Sequence, residues 1–272
     1  MQKIDILGVA VNTLTIKQAN ENISKLILAH KDSESAVVVQ PYVEFLVTAY
    51  HQPKIAKILN STDLCLADGV SLQWAASYLY GEPKARKLLK TTRSILFWLQ
   101  KPIWRDQIIP EKTAGATQTK ALLHLAEKNG WKIGIIGGIN TPKEIKSALE
   151  SRFPKIEHLH VWSGFYTASE ENGIVQDIAS HNLDILFVAM GFPRQELFID
   201  RYRANSLAKV LIGEGGTFDY SEMGGPINRA PLWMQKTGLE WLWRLLKQPK
   251  RIGRQLAIPK FIYLVKKQSK KL

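Results

Sequence analysis

Asp184-Ile185-Leu186-Phe187-Val188-Ala189-Met190-Gly191 reads as a strand buried on both faces. Its apolar residues are continuous rather than alternating, the run is too short for a helix, and it stops at a glycine. Working outward, Gln195 to Ala204 has helical spacing and Lys209 to Gly213 is the next strand. In the other direction, Glu170 to His181 reads as a helix, His158 to Trp162 as a strand and Lys143 to Phe153 as a helix. Before them, the strand Trp131 to Ile136 runs into Gly137-Gly138, behind a helix from Gly115 to Lys128. Strands alternating with helices predict a Rossmann-like α/β fold, a mostly parallel sheet with helices on both faces.

The N-terminal part continues the pattern. Ile4 to Val9 reads as a short strand, Thr15 to His30 as a helix with Thr15 as N-cap, and Ala36 to Val39 as a buried strand running into Gln40-Pro41. Val43 to Leu59 is helical with a break near Pro53, Leu64 to Ala67 is a strand ending at Asp68-Gly69, and Ser71 to Tyr80 is a helix. After Pro231 the chain turns tryptophan-rich, basic and helical. The expected organisation is an α/β catalytic core over residues 1–228, with a basic insertion near 84–107, and a helical, basic appendage over 229–272.

Charge sharpens that division. The net charge of the 272 residues is +13. Residues 241–272 hold ten Lys and Arg and no acid, and residues 84–105 hold seven and no acid. Removing those seventeen from the total of 37 leaves 20 basic against 24 acidic residues, a balance of −4. A mildly acidic body therefore carries two cationic segments, which suit anionic lipid, phosphorylated ligands or nucleic acid. Met1 to Ile6 lacks the apolar core of a signal peptide, and no run of about 18 apolar residues occurs, so no bilayer-spanning helix is expected. The single cysteine, Cys65, sits in the run Leu64 to Ala67 and reads as a small buried hydrophobe.

Several strand ends carry residues suited to chemistry, each with a plainer reading beside it. Ligands of open α/β sheets bind beyond the carboxyl ends of the strands. Asp68 stands at such an end and is either a general base or the cap of the following helix. Gly137 and Gly138 admit a phosphate or sugar close to the backbone, or make an ordinary tight turn. In Met190 to Glu196, Gly191 and Gln195 suit a ligand-facing loop, whereas Glu196 equally suits the first turn of a helix. Ile212 to Tyr220, containing Asp219, is a third glycine-rich strand end. Arg229, Arg244, Arg251 and Arg254 lie near Trp233, Trp241 and Trp243, as phosphate forks with interfacial aromatics or as a solvated basic face. His158 and His160 lack companions at metal-ligand spacing, so no metal is expected. The absence of Gly-x-Gly-x-x-Gly argues against a dehydrogenase, and of Gly-x-Ser-x-Gly against a serine hydrolase.

The stretches Glu44-Phe45-Leu46-Val47, Leu66-Ala67-Asp68-Gly69-Val70, Pro193-Arg194-Gln195-Glu196, Arg229-Ala230-Pro231-x-Trp233-Met234 and Gly238-Leu239-Glu240-Trp241-Leu242, with the spacing of Arg244, Arg251 and Arg254, resemble the WecG/TagA/CpsF glycosyltransferases (glycosyltransferase family 26). The resemblance runs from Ile6 to about Arg254. It implies an inverting transfer, without metal or other cofactor, of N-acetylmannosamine or a related hexose. The donor is a UDP-sugar and the acceptor polyprenyl-diphosphate-linked, in cell-surface polysaccharide or teichoic-acid-type biosynthesis. It implies that Asp68 is the base, that Gln195 lines the site, and that the terminal arginines belong to an appendage meeting the membrane. Gln40 and Tyr42 stand where the family has Thr-x-Asn facing the substrate, and Lys112 replaces an arginine of the family's Pro-Glu-Arg. These residues, with Gly137, Gly138, Gly191, Glu196, Asp219 and Arg229, make up the expected substrate-binding set. The expected setting is cytoplasmic, peripheral on the inner face of the cytoplasmic membrane. An anionic lipid surface is the expected partner, no nucleic acid is, and a homo-oligomer is compatible with the sequence. The rival readings are a nucleotide-binding enzyme of another class and a basic nucleic-acid-binding protein. Truncation after Glu240 is expected to leave a folded, inactive core.

Overall fold

The computed structural model describes residues 1–31, 34–83, 108–205, 207–237, 239–249 and 252–271. The basic segment 84–107 and Arg251 therefore lie outside the described residues. In chain order the elements are β1 (Lys3–Ile6), β2 (Val9–Asn12), α1 (Ile16–Ala29), β3 (Ala36–Val39), α2 (Val43–His51), α3 (Pro53–Asn60), β4 (Leu64–Cys65) and α4 (Val70–Tyr80). They continue with α5 (Gly115–Asn129), β5 (Ile133–Gly137), α6 (Pro142–Arg152), β6 (Leu159–Trp162), α7 (Ala168–Ser180), β7 (Leu183–Ala189), α8 (Arg194–Tyr202) and β8 (Ala208–Gly213). The C-terminal helices are α9 (Leu232–Thr237), α10 (Glu240–Lys247), α11 (Ile252–Gln255) and α12 (Ala257–Gln268). The chain forms two compact units. The first comprises Met1–Gln18, Gln40–Ala114 and Ala230–Leu272, and the second Ala19–Val39 and Gly115–Arg229.

The second unit is the α/β part. Five of its strands run parallel in the order β3-β8-β7-β5-β6, flanked by helices. The decisive run lies in the middle: Phe187 pairs with Ile212 on one side and Ile135 on the other. All seven residues of β7 are buried, which is why its sequence shows no alternation. Each such Ile, Leu or Phe contributes about 1.5–3 kcal/mol relative to exposure. The one carboxylate in β7, Asp184, is placed at its amino end. There it accepts from the Lys132 backbone N–H at 2.8 Å and pairs with Lys209 Nζ at 2.8 Å. Helices α6 and α7 start at Thr141 and Thr167 through capping boxes closed by Glu144 and Glu170.

The first unit opens with a correction. Ile4 to Val9 is not one strand: β1 and β2 form an antiparallel hairpin around Leu7 and Gly8, at φ 56° and 84°. A leucine there costs roughly 1–2 kcal/mol. The cost is offset because Leu7 is buried and its N–H donates to Gln268 Oε1 at 2.9 Å. Asn60 brackets the same turn, accepting from Ala10 N and donating to Gly8 O, both at 2.8 Å. Helix α12 packs on α2 and α4, burying Phe261, Leu264 and Val265. The Phe261 ring centroid lies 6.4 Å from that of Trp74. Cys65 is buried, and desolvation, opposed by nearby Lys3, pushes its thiol up to about 12. It is the inert hydrophobe its neighbours suggest.

Candidate active site

In the first unit, Asp68 follows β4 on a loop fastened by backbone bonds. Its own N–H donates to Pro41 O at 3.1 Å. The carbonyl of the preceding Ala67 accepts from both the N–H and the Oγ1 of Thr113, each at 2.9 Å. Asp68 is half-buried, and Gly69 rather than Asp68 takes the N-cap position of α4, at φ 96°. The cap position thus belongs to Gly69, and backbone bonds fasten the loop that carries the Asp68 carboxylate.

Pro41, the acceptor for Asp68, lies between Gln40, which is buried, and Tyr42, which is half-buried. Tyr42 OH donates to Glu44 Oε2 at 2.7 Å, and Arg254 Nε lies 3.6 Å from that oxygen. One C-terminal arginine is therefore tied to the segment that carries Gln40 and Tyr42. Lys112, beside Thr113, donates to Gln235 O at 3.1 Å, a single contact that needs no guanidinium fork. Arg244 is half-buried on α10. Glu44 was legible only as part of a motif, since nothing in the sequence shows which cation and which hydroxyl it joins.

In the second unit, the carboxyl ends of β5, β7 and β8 gather the remaining expected residues. Gly137, at φ 119°, packs so tightly that a Cβ would run into the Ala189 carbonyl. Gly138 N–H donates to the same carbonyl at 3.1 Å. Gly191 sits at φ 78° before the cis Phe192-Pro193 bond and leads into α8. Gln195 is buried, and its Oε1 accepts from Gly191 N at 3.1 Å and Gly215 N at 2.9 Å. Its Nε2 donates to Glu196 Oε1 at 2.8 Å. Glu196 is fully buried, and Glu196 Oε2 has no hydrogen-bond partner among the described residues.

Asp219 lies farther along the loop after β8. It is buried, with its carbonyl accepting from Ile227 N at 3.0 Å. Arg229 closes that loop, donating to Thr117 Oγ1 at 2.8 Å and to Glu222 Oε1 at 3.3 Å. The structure thus brings Gly137, Gly138, Gly191, Gln195 and Glu196 together and ties Arg229 to the start of α5. Arg194 escaped the sequence reading although its motif was noticed. It is exposed at the first turn of α8 with its guanidinium 4.9 Å from the Tyr166 ring centroid. Tyr166 OH reaches Met190 Sδ at 3.8 Å, and burial raises its pKa.

Burial also pushes the Glu196 carboxyl up to about 7, against the hydrogen bond from Gln195. A raised folded-state pKa means that the native chain binds the extra proton. Its contribution is complete below the unfolded value near 4.5 and is lost as pH rises through about 7. Glu196→Gln removes this dependence. Relative to wild type, that variant is expected to gain on the order of 3 kcal/mol between pH 5 and pH 8, read from urea midpoints. Parallel pH curves for the two proteins would refute the assignment.

The chain matches the family model described as "Glycosyl transferase WecG/TagA/CpsF family" over residues 4–95 and 94–272. It is 29% identical over 271 residues to the N-acetylglucosaminyldiphosphoundecaprenol N-acetyl-beta-D-mannosaminyltransferase of Staphylococcus aureus strain MRSA252, covering 99% of this chain and 94% of the relative. The protein of the same name from strain MW2 has the same identity and coverage.

Proposed function

The chain belongs to the WecG/TagA/CpsF glycosyltransferase family, and on that premise we propose that it moves a sugar of N-acetylmannosamine type, or a related hexose, from a UDP-sugar to a polyprenyl-diphosphate-linked N-acetylglucosamine. The reaction is a single inverting displacement without a metal. Asp68 takes the proton from the acceptor hydroxyl as its oxygen attacks the anomeric carbon. The bond to the UDP oxygen breaks and the diphosphate leaves with its electron pair. Arg244, Arg251 and Arg254 offset that charge. The glycine-rich strand ends of the second unit, with Gln195 and Asp219, receive the nucleotide sugar. Gln40 and Tyr42 shape the sugar pocket. The observation that carries the reading is the backbone-fastened loop of Asp68, which presents a half-buried carboxylate at a strand end.

The test offers a panel of UDP-sugars with a short-chain lipid-diphosphate acceptor. Transfer with release of UDP from at least one donor is expected. A folded protein that transfers from none would sink the reading.

The enzyme works as a peripheral protein on the inner face of the cytoplasmic membrane. Among the described residues no helix is long and apolar enough to cross a membrane. In the first unit, Leu232, Trp233, Leu246, Ile252, Leu256 and Tyr263 are exposed, interspersed with exposed lysines of the C-terminal helices. That mixture suits a surface with anionic headgroups. Each lysine near such a surface contributes about 1 kcal/mol. Replacing Lys260, Lys266 and Lys267 together by Gln is therefore expected to weaken binding to phosphatidylglycerol-containing vesicles about 100-fold. Vesicle sedimentation at low salt reads this, and undiminished binding would place the contact elsewhere.

A further inference from the structure

We propose that Glu196 is a positioning residue for the donor step: it holds the Gln195 carboxamide in the one orientation that ties the loop after β7 to the loop after β8. The proposal rests on the reading of this sheet edge as the nucleotide-sugar site.

A carboxamide has two nearly isosteric ends, and only its hydrogen bonds choose between them. Gln195 Oε1 faces two donors, Gly191 N at 3.1 Å and Gly215 N at 2.9 Å. A flipped amide would set its NH2 against both. The same orientation is locked at the other end, where Nε2 donates to Glu196 Oε1 at 2.8 Å. Space is reserved for this pair. A Cβ on Gly213, the last residue of β8, would lie 2.9 Å from Gln195 Nε2 and 3.3 Å from Glu196 Oε1.

Stability does not account for the carboxyl. It is fully buried, Glu196 Oε2 has no hydrogen-bond partner among the described residues, and an apolar side chain of similar volume would avoid that desolvation cost. What the carboxyl supplies is an acceptor directed at Gln195. The two loops it joins through Gln195 lie at the carboxyl ends of adjacent parallel strands, where open α/β sheets seat their ligands. Glu196 itself, with no exposed surface, touches no donor in this arrangement. It acts through Gln195.

The experiment uses full-length Glu196→Ala, Glu196→Gln and Gln195→Ala. Amide hydrogen exchange at Gly191 and Gly215, UDP affinity by calorimetry, and KM for donor and acceptor are measured separately. Glu196→Ala is expected to speed exchange at both glycines and to weaken UDP and raise donor KM about tenfold, with acceptor KM unchanged. Glu196→Gln keeps a side-chain carbonyl for Gln195 and is expected to restore all of these to within about threefold of wild type. Gln195→Ala removes the shared acceptor directly, while keeping the Glu196 carboxyl whose Oε1 took the Nε2 hydrogen bond. It is expected to reproduce the exchange and donor effects, and so carries the test if Glu196→Ala does not fold. Unchanged exchange and donor KM in a folded Glu196→Ala or Gln195→Ala, or a Glu196→Gln as impaired as Glu196→Ala, would overturn the proposal. A wild-type protein that neither binds UDP nor transfers sugar would instead overturn the functional reading, while exchange at the two glycines would still report whether Glu196 holds them.

Discussion

Replacing Asp68 by Asn is expected to slow sugar transfer by about 10²–10⁴-fold, the usual worth of a positioned general base, while the fold survives. Asn matches the shape of Asp but takes no proton from the acceptor hydroxyl. The loop is also held by contacts of its backbone, Asp68 N–H to Pro41 O at 3.1 Å and the two Thr113 bonds to Ala67 O at 2.9 Å, which the substitution leaves in place. Initial rates at saturating donor and acceptor give the loss in kcat. Far-UV circular dichroism and the thermal midpoint check the fold. Near-normal turnover by the variant would remove Asp68 from the chemistry. A variant that loses its midpoint as well as its rate would make Asp68 structural.

The second large effect concerns the tail. Phe261→Ala is expected to destabilise the first unit by about 3–5 kcal/mol, the range for emptying a fully buried aromatic site. Total stabilities run to about 5–15 kcal/mol, so this is a large share. Phe261 is completely buried on α12, together with Leu264 and Val265, and the end of the same helix holds the β1–β2 hairpin. Gln268 Nε2 donates to Asp5 Oδ1 at 2.7 Å while Gln268 Oε1 accepts from Leu7 N at 2.9 Å. The expectation that truncation after Glu240 leaves a folded core therefore does not survive the structure. Cutting there uncovers the apolar faces of α2 and α4 and frees the hairpin turn. Guanidinium melts of Phe261→Ala and of the truncated chain decide the matter. A truncated protein with the wild-type midpoint would show α12 to be dispensable for folding. Surface substitutions such as those at Lys260, Lys266 and Lys267 are accordingly the cleaner probes of membrane contact.

How far each residue was legible depended on what its role required of its neighbours. Pro53 announced the break between α2 and α3, and Thr15 its own capping exchange with Gln18, whose N–H lies 3.2 Å from Thr15 Oγ1. These are local effects, written within four residues. Leu7 was illegible as a turn residue because a leucine at positive φ follows no local preference. It is held there by Gln268, 261 positions away. Arg194 and Tyr166 meet by way of two different strand ends, so no spacing along the chain announces them.

The sequence by itself determined the alternation of elements, the buried character of β7 and the uneven distribution of charge, because hydrophobic period and charge density are properties of short windows. It also carried enough motif to mark Asp68, Gln195 and the glycine-rich strand ends. Only the tertiary structure decided that Gly69 takes the cap position and leaves Asp68 outside it, that Gln195 bolts two loops together, and that Glu196, in the first turn of α8, is buried behind it. Those outcomes depend on which backbone N–H or carbonyl arrives from a distant segment, and on the water its arrival excludes. A linear pattern does not contain either.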